Sequence, residues 1–498
     1  MDGGFGGDRP ATRRLPDVRV AIVGAGFAGL GMAIALTRSG ELDFVLLERA
    51  ADLGGTWRDN HYPGAACDVQ SVLYSYSFAP EPGWSRTFSG QREILQYLHT
   101  TANRYGLPGR IVFGAEVTDA AWDEHAARWR IRCTAGTLTA KVLVSAAGAL
   151  SEPATPDLPG LGDFAGTVMH SARWDSGHDL SGERVAVIGT GASAVQIVPA
   201  VQPVVRNLAV YQRTAPWILP KGDRLVGRFA RDVYRRLPSA QRATRLLSYL
   251  TNELLAIGMT HHAWALAPVR AVATRHLTRQ MPDPRLRAAL TPHFPIGCKR
   301  ILFSNDYYPA IAAANTDLVT TGIARVRPRS ILGRDGVDRP VDTLVLATGF
   351  RVMQPPIAAR IAGRAGRTLA QAWAAGMVAN RGTTVAGFPN LFLLVGPNVG
   401  VGNTSMIYMI ESQLAYVLDA LATMDAEQLA TLETTEHAQL EFTRRLAERS
   451  RRTVWLSGCA SWYLDANGRN TALWPDFSFR YRRLTRRLDR DNYLGRAA

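Results

Sequence analysis

Two glycine turns, each set between an apolar run and a helical pattern, constrain this chain more than any other feature. Arg19-Val-Ala-Ile-Val23 runs into Gly24-Ala-Gly26-Phe-Ala-Gly29, and Arg184-Val-Ala-Val-Ile188 runs into Gly189-Thr-Gly191-Ala-Ser-Ala194. A short run rich in β-branched residues suits a central parallel strand. Glycines at this spacing, after a strand and before a helix, permit a tight turn and let backbone approach a pyrophosphate at the helix N-terminus. Two such units predict an α/β protein with two Rossmann-like dinucleotide-binding domains.

The residue closing the next strand of each unit separates the two ligands. After Leu42–Leu47 comes Glu48, 19 residues beyond Gly29. A carboxylate there accepts hydrogen bonds from ribose hydroxyls and repels a 2′-phosphate, which selects FAD or NAD over NADP. The corresponding strand of the second unit, Leu208–Tyr211, ends at Gln212-Arg213-Thr214. A guanidinium and a hydroxyl suit a 2′-phosphate, so the second ligand is expected to be NADPH, with Ala194 in place of the third glycine.

Composition narrows the class. The chain has 498 residues, 47% hydrophobic and 20% charged, which describes an ordinary globular protein of two or three domains. The net charge of +15 is spread without a long basic run and is densest over Arg480–Arg490. Two phosphate-bearing ligands absorb part of that excess, so nucleic acid is not expected as a partner. Cys67, Cys133, Cys298 and Cys459 are scattered, with no C-x-x-C pair. That spacing argues against a disulfide framework and against a metal site, and fits a reducing cytoplasm. Residues 1–16 are Gly-, Asp- and Arg-rich, carry no signal-like apolar core, and are expected to be disordered. The longest apolar stretch, Leu246–Val269, is broken by Glu253, His261 and His262. It reads as a buried or surface-docking helix pair and not as a membrane span.

Four further motifs carry a family resemblance. Phe164-Ala-Gly166-Thr-Val-Met-His170-Ser-Ala-Arg-Trp174-Asp175 has the spacing F-x-G-x-x-x-H-x-x-x-W-D. Gly54-Gly55-Thr56-Trp57 with Tyr62-Pro-Gly64 and Asp68 has the spacing G-G-x-W-x-x-x-x-Y-P-G-x-x-x-D. The segment Pro295–Leu302 contains Lys299-Arg300, and the tail contains Cys459-Ala-Ser-Trp462. Together these resemble the type I Baeyer–Villiger monooxygenases over about residues 17 to 480. Taken singly, His170 and Trp174 would be packing residues, Asp68 a turn aspartate, and Lys299-Arg300 surface charge.

The resemblance implies FAD in the first unit, lined by Gly24, Gly26, Gly29, Glu48, Gly55, Thr56, Trp57, Asp68, Val69, Tyr74 and Val117. It implies NADPH in the second, held by Gly189, Gly191, Ala194, Arg213, Thr214 and Lys299, with Trp462 on a segment covering the nicotinamide. The catalytic pair would be Arg300, over the flavin, and Asp68, which orients it. The implied reaction uses NADPH and O₂ to insert oxygen beside a ketone carbonyl through a C4a-peroxyflavin, giving an ester or lactone. A heteroatom (N or S) oxygenase of the flavin-containing type and a redox sensor without turnover are the alternatives. Where the family usually has Asp after the Gly-Phe of Ala347-Thr-Gly349-Phe350, this chain has Arg351. Expected domains are 17–150 with 388–498 for FAD, 151–221 with 318–387 for NADPH, and a helical insertion over 222–317. A monomer or homodimer is expected.

Overall fold

The computed structural model describes residues 13–497. The first unit is an eight-stranded sheet. Its parallel part sets Val18–Val23 between Phe44–Leu47 and Gly136–Ser145, with Ile111–Val112 on one flank and Leu391–Leu393 paired to Gly136–Ser145. The central strands are almost wholly buried, which explains their unbroken apolar sequence. Val117–Asp123 and Arg128–Cys133 add an antiparallel meander that alternates buried and exposed residues.

The second unit is a five-stranded parallel sheet in the order Thr316–Val319, Asn207–Tyr211, Arg184–Ile188, Thr343–Leu346, Thr167–His170. The fingerprint strand Thr167–His170 therefore forms its edge. Gly166 lies where a Cβ would strike the Asp342 carbonyl oxygen and the Phe164 ring. Only glycine lets this edge strand start so close to its neighbour.

Three boundaries differ from the sequence expectation. Residues 13–16 are ordered: Leu15 is buried and its N–H donates to the Thr137 carbonyl at 2.8 Å. The rest of the expected disordered segment, 1–12, lies outside the described residues. The insertion ends before 317, because Tyr307, Tyr308 and Ile311 already pack in the core of the second unit. The return to the first unit precedes 388: Ile361–Ala362 pairs with Val117–Asp123, and Ile361, Leu369 and Val385 join that sheet's core. Strands of two to four residues carry too little periodicity to be read from sequence.

The insertion consists of Arg228–Arg236, Pro238–Ala256, a π-helical turn Ile257–His261 and Ala267–Gln280. Among the described residues no helix is long and apolar enough to cross a membrane.

Candidate active site

The first turn is built so tightly that its glycines are obligatory. Gly24 has φ +101°, and a Cβ there would stand 2.7 Å from the Ala146 carbonyl oxygen of the returning strand. A Cβ on Gly29 would collide with the Gly24 carbonyl oxygen. Gly26 caps the helix Phe27–Ser39 without a side-chain acceptor, so no side chain satisfies the first amides of that helix. The second glycine motif presses on the same turn, since a Cβ on Gly55 would come 3.1 Å from the Gly26 Cα. Glu48 is buried and accepts from the Ala25 and Ala50 amides at 2.8 and 3.0 Å and from Arg58 at 3.0 Å. It thus fixes the turn besides presenting a carboxylate at the strand end. Trp57 follows Thr56 at the start of a short helix, and its indole N–H donates to the Tyr74 hydroxyl at 3.1 Å. Burial raises the Tyr74 pKa, which keeps that hydroxyl neutral. Val69 packs at the edge of this core, and Val117 is buried beneath the sheet with Val23 and Leu47.

The second turn repeats the steric logic. Gly189 has φ +118° and leaves no room for a Cβ beside the Ala347 carbonyl. Gly191 caps the helix Ala192–Val201, again without a side-chain cap, and Ala194 is fully buried. The Thr214 carbonyl accepts from the Thr190 hydroxyl at 2.8 Å. Arg213 is exposed. Burial and the nearby Arg213 charge both lower the Lys299 pKa, and Lys299 Nζ stands 4.8 Å from the Phe294 ring centroid. Neither cation has an ion-pair partner among the described residues, so the two charges stand near each other uncompensated.

Between the two turns the chain is stitched together. The Tyr62 hydroxyl donates to Gln196 at 3.0 Å, and Gln196 donates to the Ala66 carbonyl at 2.9 Å. Gly64, at φ +81°, lets this segment lie against the Gln196 backbone. His61 Nε2 meets the Trp174 carbonyl at 2.9 Å, while Trp174 is buried in the second unit. Half of the second motif therefore docks on the second unit's helix, while its Gly55 end serves the first turn.

Asp68 and Arg300, 232 residues apart, meet at this junction. Arg300 donates Nε to Oδ2 at 3.0 Å and Nη2 to both carboxylate oxygens at 2.7 Å. The Asp68 charge raises the Arg300 pKa despite burial, so the guanidinium stays charged. Its side chain remains 35% accessible, which leaves donors available on the open side. Tyr463, absent from the sequence expectation, is buried against this pair, and burial pushes its hydroxyl up to about 12. Only its neighbour Trp462, 46% exposed and in edge contact with Tyr463 at 4.6 Å, was marked by the motif.

The cysteine expectation is corrected at the same place. Cys298, two residues before Arg300, is disulfide-bonded to Cys459, three before Trp462. A separation of 161 residues hides this pair from any spacing argument. The bond ties the arginine segment to the tail. Cys67 and Cys133 are free and buried.

The fingerprint packs against the segment that follows the strand Thr343–Leu346. His170 Nδ1 accepts the Ala172 amide at 3.1 Å, which leaves Nε2–H to donate to the Gly349 carbonyl at 3.1 Å. That pairing fixes the neutral tautomer, and burial lowers the pKa accordingly. The partner segment Thr348–Arg351 pairs with residues 152–154 through backbone and the Thr348 hydroxyl, and Arg351 contributes its amide. The Asp-to-Arg departure is absorbed there because no side chain at 351 carries the pairing. Asp175 accepts from the Gly177 amide at 2.9 Å and shapes a turn. Phe164 packs under the second sheet.

The profile of the pyridine nucleotide-disulphide oxidoreductase family matches residues 21–257. A Baeyer-Villiger monooxygenase of Streptomyces coelicolor is 50% identical over 96% of this chain and 92% of its own length. One from Pseudomonas aeruginosa is 48% identical over 97% and 93%. Among solved structures, an oxidized steroid monooxygenase bound to NADP superposes with a TM-score of 0.87 at 32% identity, covering 97% of this chain and 100% of its own. Cyclohexanone monooxygenase from Rhodococcus sp. Phi1 bound to NADP+ gives 0.87 at 28%, with the same coverage. With the two glycine turns, the fingerprint at the edge of the second sheet and an arginine held by a carboxylate between the units, these likenesses lead to one conclusion: the chain belongs to the Baeyer–Villiger monooxygenase family.

Proposed function

We propose that this chain uses NADPH and O₂ to insert one oxygen atom beside a ketone carbonyl, giving an ester or lactone. FAD is assigned to the Gly24–Gly29 turn with Glu48, and NADPH to the Gly189–Ala194 turn with Arg213 and Lys299. The residues fit both groups: each turn offers uncapped helix amides and a backbone no Cβ would permit, and the second presents Arg213 and Lys299, which have no ion-pair partner among the described residues. FAD held there would supply hydride acceptance from NADPH and electron transfer to O₂.

The observation that carries the reading is the bidentate Asp68–Arg300 pair at the junction of the units. Asp68 holds the guanidinium plane, so its free donors are preorganised for the negative charge that develops on a substrate carbonyl oxygen. An electrophilic oxygenation of nitrogen or sulfur would not need that fixed cation. Tyr463 lies buried near the arginine, and the Cys298–Cys459 bond ties the arginine's segment to the tail that carries Tyr463. His170 acts as a hinge pin in its neutral form and moves no proton in the reaction. The cytoplasm, where NADPH is supplied, is the proposed setting, with a monomer or homodimer as the working form.

The test is product analysis of the purified enzyme under ¹⁸O₂, with linear, cyclic, aryl and steroidal ketones and one aryl methyl sulfide. The reading expects an ester or lactone with one ¹⁸O, with or without sulfoxide. Sulfoxide with no ester from any ketone class would favour the heteroatom oxygenase, and FAD that NADPH fails to bleach would favour the sensor.

A further inference from the structure

The insertion helix Pro238–Ala256 carries its polarity the wrong way round. Its inward residues are polar. Gln241 donates to the Glu81 carbonyl at 2.6 Å, Arg245 to the Val72 and Ser75 carbonyls at 2.8 and 2.9 Å, and Asn252 to Gln70 at 3.0 Å. Its outward stripe is apolar: Leu246, Leu247, Leu250 and Leu254 are 51–64% exposed. A helix lying on a globular core normally does the opposite. Phe229, on the helix packed beside it, and Trp264, just past its end, are 83% and 76% exposed.

A basic cleft begins at a helix that packs on this insertion helix. Ser478 donates to Glu253 and shares a hydrogen bond of 3.1 Å with Tyr249, which seats the helix Ser478–Leu484 against the same insertion helix. That helix bears exposed Phe479 and leads into a cleft lined by Arg381, Arg449, Arg480, Arg483, Arg486 and Arg487. Asp489 pairs with Arg381, and Asp476 with Arg449 and Arg480. Arg483, Arg486 and Arg487 form no ion pair among the described residues.

We propose that this face rests on an anionic phospholipid bilayer. The leucine stripe, Phe229, Trp264 and Phe479 enter the boundary between headgroups and acyl chains, and the unpaired arginines take the lipid phosphates. The combination is what such a surface requires: apolar area without the length to span, beside cations without partners. A second copy of the chain fits less well, because a two-fold contact through this face would bring two arginine clusters into one interface. The lipid contact is independent of the oxygenation proposed above.

The test is flotation of the FAD-loaded full chain with vesicles of phosphatidylglycerol mixed into phosphatidylcholine, against vesicles of phosphatidylcholine alone. The wild type should float with the anionic vesicles and be released by salt. Leu247→Gln/Leu250→Gln/Leu254→Gln should lose at least about tenfold in partition, because each leucine contributes apolar burial. Arg483→Gln/Arg486→Gln/Arg487→Gln should fall to the level seen with phosphatidylcholine alone. Both variants should oxidise a water-soluble ketone at the wild-type rate. As a check that needs no multiple variant, brominated phosphatidylglycerol should quench fluorescence of the wild type more than that of Trp264→Phe. A wild type that ignores anionic vesicles would overturn the proposal. So would a leucine variant that floats like the wild type, or a solution dimer that the leucine changes dissociate while lipid does nothing.

Discussion

At the end of its second strand the first nucleotide unit holds Glu48, buried, with two amides and Arg58 already bound to it. The second unit holds Arg213, exposed, with the Lys299 charge near it and, among the described residues, no ion-pair partner for either. The backbones that present these residues are nearly equivalent. Gly24 and Gly189 have φ of +101° and +118° and both press on the carbonyl of the returning strand, Ala146 in one case and Ala347 in the other. One strand-end charge is paired within the protein, and the other has no ion-pair partner among the described residues. The first arrangement suits a group that stays, and the second a group that is exchanged at each turnover.

The contrast can be broken most severely at the third position of the turns. Gly29→Ala places a methyl on the Gly24 carbonyl oxygen, which should cost about 3 kcal/mol, the upper end for overpacking, and abolish FAD retention. Ala194→Gly removes a methyl the second helix accommodates and should cost about 1 kcal/mol through helix propensity alone, with NADPH affinity kept. Flavin content and thermal unfolding of the two variants check this. Equal damage from both changes would mean the turns are not built as described.

Arg213→Ala should act on the second unit alone. Losing one charge-assisted contact to a phosphate costs about 1.5–3 kcal/mol, roughly tenfold to a hundredfold in NADPH affinity. FAD content and NADH affinity should stay unchanged. Titration of the flavin reduction rate against each nucleotide measures the ratio, and an unaltered preference for NADPH would remove Arg213 from the site.

The smallest effect concerns the joint between the units. His170 is buried as the neutral tautomer with its pKa below the usual 6.5. As pH falls below 6.5, the unfolded chain takes up a proton that the folded joint resists. This residue therefore withdraws stability on acidification, by at most about 1.4 kcal/mol per pH unit. His170→Gln places an amide donor near the Nε2 position that serves Gly349 but cannot titrate. Its melting temperature should fall less steeply than the wild type's between about pH 6.5 and 5. Parallel curves would show that other groups set the acid limit.

What sequence could and could not reveal follows from range. The glycine turns, the strands they join and the strand-end charges act within about 30 residues, so local spacing exposes them. The Asp68–Arg300 pair spans 232 residues and was reachable only through motif resemblance. Tyr463 and the Cys298–Cys459 bond were missed because their meaning lies in a tail folding back on a distant loop. The inverted insertion helix was visible as an apolar stretch, but which face its leucines take depends on carbonyls from residues 72–81, which no periodicity encodes.

The central claim is that the arginine held between the two units serves oxygen insertion and not cofactor binding. Rapid mixing of Arg300→Ala, first with NADPH and then with O₂, followed by ester and hydrogen peroxide assays, tests it directly. The account predicts that FAD stays bound and is reduced by NADPH, while ester formation falls by about 10²–10³ and reducing equivalents leave as hydrogen peroxide. Arg300→Lys should restore little, since a lysine lacks the planar fork Asp68 grips. Ester formation at the wild-type rate in Arg300→Ala would contradict the account.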